Sequence, residues 1–486
     1  MVESVDRVSG GVRLRSCSAL IALLAGTAAC AAAGSEPQGR RSVLIERVPH
    51  VQQKRDFCGE AAAEMYLRAL GHEIDQDQVF AAAAVDPALG RGAITGDLAR
   101  ALQRLGFETG PVWHQVSAAQ ADPQLNARFD ELYADLARGV PSIVCMHYDD
   151  QPDTTEHFRL VLGYDAARDQ VVYHEPAERS GAYRRMSRAQ FLALWPLKYD
   201  SQRWTLVRMR LQPSDDPEPP PKRARSPAHY AQHVMALRDR IPESFSVAVE
   251  PPFVVVGNAG GAEVRAWAEG TVRRTVRALA TMYFAKPPER TLDVFLFEDS
   301  ASYQRYAREL FAHTPQTPFG YYDAEHDALV MNISTGGGTL IHELVHPFMH
   351  ANFPDCPAWF NEGLASLYEA SRIRDGELEG LPNWRLPGLQ RAIGEGWLGG
   401  VKELMATTDA QFYADDSGAS YAQARYLMHY LQSRRLLRSY YRDFVANHRS
   451  DPSGYASLMR VLGRSPADMA SFDRELNRYV LGLRYQ

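Results

Sequence analysis

Residues 212–227 read QPSDDPEPPPKRARSP, and no helix or central strand can run through them. Six of these sixteen residues are proline. Each fixes φ near about −65° and lacks a backbone donor. The mixed charge and the missing apolar period make the stretch a linker. It splits the chain into residues 43–211 and 228–486, two regions that must each bury a core of their own.

The two regions follow different patterns. In the first, helical periodicity covers 58–70, 76–85 (with Asp75 as cap), 97–105 and 125–138, the last stopped by Gly139. After Pro141 the text turns to strands: SIVCMHY, HFRLVLGYD, QVVYHEP and WTLVRMRL. Helices followed by a run of strands is α+β order. The second region opens with β-like text, FSVAVEPPFVVVGN, then a long helical pattern over 262–284. Next come the strand TLDVFLFED, the helix SYQRYARELFAH and the strand ALVMNIS. From Pro357 onward the pattern is almost entirely helical. There is no internal repeat and no coiled-coil heptad, so the oligomeric state is not indicated.

Residues 1–35 stand apart. Arg7, Arg13 and Arg15 precede ALIALLAGTAAC and the small residues AAAGS, the layout of an export signal. The apolar run is too short to span a bilayer comfortably. An exported, periplasmic, cell-surface or secreted protein is expected, with a lipid anchor on Cys30 as a variant. The alternative is an apolar N-terminal helix, which Glu3 and Asp6 favour. A net charge of −6 without a long basic run leaves no footprint for nucleic acid. Beyond Cys17 and Cys30 there are only Cys58, Cys145 and Cys356, which make no disulfide framework. Cys145 sits in a β run and is expected in the core; Cys356 has no assigned role.

The text IHELVH places His342 and His346 four apart, on one face of a helix, so both imidazoles can reach one ion. Glu343 lies 100° round from His342, as a base beside a metal. Leu340, Ile341, Leu344, Val345, Phe348 and Met349 form the core side. Thr339 is the expected N-cap, and Pro347 is expected to kink the helix. A third ligand is required. His350 is too far along to share an ion with His342; Glu362, in PAWFNEGLASLYEA, is the other candidate. With Asn361-Glu362 following HELVH, residues 290–435 resemble the gluzincins, zinc metallopeptidases with H-E-x-x-H and a downstream Asn-Glu. The resemblance implies Zn2+ held by His342, His346 and Glu362, Glu343 as general base and Tyr421 as oxyanion stabiliser. It further implies that ALVMNIS takes substrate as an added edge strand.

Cys58 opens a helix, whose N-terminus favours the reactive thiolate. A cysteine nucleophile needs a base and an orienting acid. His157, on HFRLVLGYD, and Glu175, in YHEPA, can meet on adjacent antiparallel strands. Gln52, Cys58-Gly59, the helix ending ALG and His157 at a strand start resemble the papain-like peptidases that cut double-glycine leaders from bacteriocin precursors. The resemblance covers residues 45–200 and places Gln52 at the oxyanion hole. It departs where the usual Asp or Asn before proline is Glu175.

The expected fold is α+β: a papain-like domain (43–211), the linker (212–227) and a zincin-like domain with a largely helical C-terminal part (228–486). The expected function is an exported peptidase acting on peptides or proteins, zinc-dependent in the second domain and thiol-dependent in the first. Two alternatives stand beside it. The first domain could be a non-catalytic peptide-binding module, or both domains could be inactive envelope modules.

Overall fold

A seven-stranded antiparallel sheet forms the middle of the N-terminal region. The computed structural model describes residues 39–151, 154–213, 219–222, 225–415 and 417–485. The expected export segment, with Cys17 and Cys30, lies outside the described residues, as does part of the proline-rich stretch.

Four helices precede most of the sheet: α1 (Cys58–Ala69), α2 (Gln76–Ala83), α3 (Thr95–Arg104) and α4 (Ala121–Ala137). Asp75 caps α2 as expected, accepting from the Gln78 N–H at 3.0 Å. The fourth helix starts four residues before the apolar period does, because Pro123 falls in its first turn, where a missing donor costs nothing. The strands are β1 (Trp113–Ser117), β2 (Ser142–His147), β3 (Glu156–Asp165), β4 (Gln170–His174), β5 (Arg184–Ser187) and β6 (Arg203–Met209). They lie in the order β1-β6-β2-β3-β4-β5, with Val43–Leu44 added to β3. Alternate residues of β2 and β3 enter different cores. Ile143, Cys145, Phe158 and Leu160 meet α1–α3 on one face. Val144, Met146 and Val161 pack with Phe129 and Leu132 of α4 on the other. Cys145 is therefore a core residue, as expected.

The second sheet is built from β7 (Ser246–Glu250), β8 (Phe253–Gly257), β9 (Leu292–Phe297), β10 (Gly320–Asp323) and β11 (Ala328–Asn332). Its order is β7-β8-β9-β11-β10, with β8, β9 and β11 parallel and both outer strands antiparallel. The strand ALVMNIS is thus internal, not an edge. The edge beside it is β10, which its short, polar text hid. The helix between β8 and β9 is α-helical at both ends and π-helical over Ala268–Arg273. Helices α5 (Pro227–Arg238), α6 (Ser300–Phe311), α7 (Gly338–Asn352), α8 (Ala358–Leu367), α9 (Asp409–Tyr413) and α10 (Ala419–Ser433) complete what is needed here. The largely helical C-terminal part is as the sequence predicts, with one hairpin, Ser371–Arg374 with Glu377–Gly380.

Helix α5 belongs to both cores. Ala228, Ala231 and Met235 pack with the N-terminal helices. Tyr230, Val234 and Leu237 pack on the second sheet. The chain from Ser42 to Gln486 accordingly forms one compact unit.

Helix α7 begins differently from expectation. Its N-cap is Gly337, with no side-chain cap, and not Thr339. The glycines serve close packing. A Cβ at Gly338 would come within 2.3 Å of the Glu369 carbonyl oxygen, and one at Gly337 within 3.0 Å of the Trp267 ring. The helix continues through Pro347 without a break in its assignment. Gly338→Ala should lower the free energy of unfolding by about 1–3 kcal/mol, because a rigid backbone contact must move apart. The urea midpoint of the variant checks this, and an unchanged midpoint contradicts it.

Candidate functional site

The first cluster lies where α8 crosses α7. Leu340, Leu344, Val345, Phe348 and Met349 bury one side of α7. His342, Glu343, His346 and the exposed His350 line a cleft of about 1460 Å³ on the other. Glu362 of α8 reaches across. Its Oε2 lies 3.2 Å from His342 Nε2 and its Oε1 3.9 Å from His346 Nε2. One donor atom from each of His342, His346 and Glu362 falls within 4.8 Å of the others. His350 does not join them.

Groups behind the cluster fix its geometry. His346 Nδ1 is 3.0 Å from the Asn361 side-chain oxygen, which directs its Nε2 into the cleft. His342 Nδ1 lies 3.2 Å from Glu369 Oε1. Glu369 accepts in turn from Arg385 Nη2 at 2.9 Å and Asn383 Nδ2 at 3.2 Å. Tyr413 donates to Glu362 Oε1 at 3.0 Å. Tyr421 lines the same cleft, with the Arg385 guanidinium 5.2 Å from its ring centroid. Sequence reasoning missed Glu369, Arg385 and Tyr413. Glu369 alone left a signal, seven residues past Glu362 in one helical pattern of sequence, although α8 itself ends at Leu367.

Three carboxylates for two imidazoles make the cluster cation-receptive. Burial by itself would lower the His342 pKa, but Glu362, Glu369 and Glu343 lift it to about 10. Burial would likewise raise Glu369, yet His342 and Arg385 hold it down to about 2. Glu362 also stays below its ordinary value, by virtue of His342 and His346.

The second cluster is on the first sheet. His157 is the second residue of β3 and Glu175 follows β4, its antiparallel neighbour, so the two meet as expected. His157 Nε2 is hydrogen-bonded to Glu175 Oε1. Arg159, two residues on along the same face of β3, donates its Nε–H to Glu175 Oε2 at 2.6 Å. The Ala177 N–H completes the carboxylate's shell at 3.1 Å. Cys58 is the first residue of α1, and the main-chain N–H of Phe158, next to His157, donates toward its sulfur. Burial pushes the Cys58 thiol up to about 12, with Glu60 and Asp56 adding to it. Burial thus outweighs the helix N-terminus that was expected to favour the thiolate.

The Gln52 side chain is exposed, and its carbonyl accepts from Gln76 Nε2 at 3.2 Å. Its neighbour Gln53 is tied to the Glu175 loop, its N–H donating to the Pro176 carbonyl at 2.9 Å. The Gln53 Oε1 is buried without a partner. The sequence reading places Gln52 alone at the oxyanion hole; the structure leaves Gln52 exposed and ties its neighbour Gln53 to the Glu175 loop.

Residues 45–202 match the model of the Peptidase_C39 like family. The N-terminal domain is C39-like. A solved structure similar to this chain is the peptidase domain of Streptococcus ComA, described as a bi-functional ABC transporter involved in a quorum sensing pathway. It is 18% identical, covers 36% of this chain and 98% of its own, and has a TM-score of 0.23. No curated protein matches the chain. The match suggests a peptidase-type function, acting on peptides, for residues 45–202.

The C39-like domain carries a pH signature. Burial would raise the Glu175 pKa, but the His157 hydrogen bond and the charges of His157 and Arg159 hold it below the usual 4.5. A carboxylate depressed on folding contributes stability that is complete above its unfolded pKa and is lost as pH falls through the folded one. Glu175→Gln should therefore flatten the loss of stability on acidification below about pH 4.5. Urea midpoints of variant and wild type across that range test it; parallel acid limbs contradict it.

Proposed function

We propose that the chain is an exported peptidase with two centres: a zinc-dependent one at His342, His346 and Glu362, and a thiol-dependent one at Cys58, His157 and Glu175. The observation that carries the first is the convergence of three donor side chains, with Glu343 beside them, on one cleft. Two imidazoles and a carboxylate are a donor set suited to Zn2+ with a position left open. His342 and His346 offer Nε2; Asn361 hydrogen-bonds the far nitrogen of His346, as second partners of metal-ligating histidines do, and the Glu369 carboxylate lies 3.2 Å from that of His342.

Zinc held there would polarise a scissile carbonyl and lower the pKa of its water toward ~7. Glu343 accepts the proton of the attacking water and returns it to the leaving amine. Tyr421 is assigned to the oxyanion, and Tyr413 holds Glu362. The free side of β10 offers the extended backbone of a substrate a strand to pair with.

In the C39-like domain, the Cys58 thiol gives its proton to His157 as sulfur attacks the carbonyl, and a thioester forms. The amine leaves with that proton, and water then hydrolyses the thioester. Gln53 and Gln52 are both candidates for the oxyanion. A second reading, a domain that holds peptides without cutting them, is favoured by the burial that pushes the Cys58 thiol up to about 12. Export rests on residues 1–35, with Cys30 as the site of a lipid anchor.

The purified mature protein should hold one zinc per chain by elemental analysis, lost or weakened in His346→Ala and Glu362→Ala. Zinc-free but well-folded protein from zinc-replete medium overturns the metal reading. Glu343→Gln should keep the zinc yet slow metal-dependent hydrolysis by roughly 10²–10⁴-fold. Cys58→Ala should remove a separate set of cleavage products; products unchanged in that variant favour the peptide-holding reading.

A further inference from the structure

The third member of the thiol centre is a glutamate, one methylene longer than the Asp or Asn that the resemblance leads one to expect. A longer side chain has one more rotatable bond, and its carboxylate can swing away from the imidazole it should orient. In this chain it does not stand alone. Arg159 donates Nε–H to Glu175 Oε2 at 2.6 Å while His157 takes Oε1. The arginine is itself fixed. Its Nη1 donates to the His147 carbonyl at 3.1 Å and its Nη2 to the Tyr148 carbonyl at 2.8 Å. Its guanidinium lies 5.3 Å and 5.5 Å from the ring centroids of Tyr148 and Tyr173. Only 4% of Arg159 is exposed, and Glu175 is buried with it.

A buried arginine in the middle of a β-strand is costly unless its donors are met. Here one edge is spent on main-chain carbonyls at the end of β2 and the other on the carboxylate of the centre. His157 and Arg159 share a face of β3 because strand side chains alternate. Both therefore reach the same carboxylate, one oxygen each.

We infer that Arg159 is a positioning residue matched to Glu175: it anchors the far oxygen of the longer carboxylate, so that the near oxygen stays in line with His157. The proposal rests on reading His157 and Glu175 as a working pair, not on Cys58 being competent to cut.

The test uses the full chain in four forms: wild type, Arg159→Leu, Glu175→Asp and the double variant. The first readout is the downfield proton resonance of His157 Nε2–H, assigned by its loss in His157→Gln. The second is the rate of Cys58 alkylation by iodoacetamide. The resonance should be present in the wild type and lost or moved upfield in Arg159→Leu. Alkylation should slow by about 10²-fold there, the scale of a displaced catalytic group. Glu175→Asp alone is too short to bridge both partners and should behave likewise. In the double variant the shorter acid is free to turn wholly to His157, and the resonance should return. Should Arg159→Leu fail to fold, Arg159→Lys, which meets only part of the same acceptor set, carries the comparison with Glu175→Asp and the double variant Arg159→Lys/Glu175→Asp. A resonance absent from the wild type, or unmoved in Arg159→Leu, overturns the proposal, as does a double variant that only adds the two losses. If alkylation is unmoved in all four forms while the resonance follows the expected pattern, the positioning role stands and the competence of Cys58 fails.

Discussion

The crossing of α7 and α8 is the constraint on which the cleft depends. At Gly338 the first turn of α7 touches the main chain at Glu369, just past the end of α8. Within α8, Gly363 packs against Ala424 of α10, which a Cβ there would approach to 3.1 Å. Contacts this close fix the relative position of two helices to a fraction of an ångström. Three side chains on different turns can then meet at one point without any loop to hold them. The apolar faces below supply the cohesion, and the polar faces above receive the geometry.

The two centres balance charge in opposite ways. At Glu175 one buried carboxylate serves a histidine and an arginine, so it is held ionised and both its oxygens are taken. At His342 and His346 three carboxylates surround two imidazoles, and the surplus is negative. The first arrangement orients an imidazole and leaves little freedom. The second invites a cation, and Arg385, which lines the cleft, and the buried Asn383 hold Glu369 from outside the three donor side chains.

Helix α5 joins the two regions through packing. One stripe faces the N-terminal helices and another the second sheet. Gln232, on its exposed side, donates to the Arg55 carbonyl at 2.8 Å, and Arg55 Nη2 donates to Asp239 at 2.8 Å. The loop that leads into Cys58 is therefore braced by residues that follow the proline-rich stretch. That stretch is not merely a tether where it is described: the Pro220 carbonyl accepts from Gln78 at 2.7 Å.

Periodicity is a local property, and the sequence by itself determined what depends on it. The spacing of His342 and His346 on a helix, the apolar side of α7, the capped start of α2 and the run of strands after Pro141 are all legible in neighbouring residues. So were Glu362 and the pair His157 and Glu175, because each lies at a fixed place on an element that can be read. Tertiary structure alone decided which distant groups stand behind them. Glu369, Arg385 and Tyr413 converge from separate segments. Arg159 reads as one polar residue in an apolar strand until its partner is seen. Gln53 differs from Gln52 only in what buries it. The short strand β10 owes its existence to pairing with β11 rather than to its own text. Burial likewise sets the charge of Cys58, because desolvation is a sum over everything packed around a group, and that sum is not written in its neighbours in the chain.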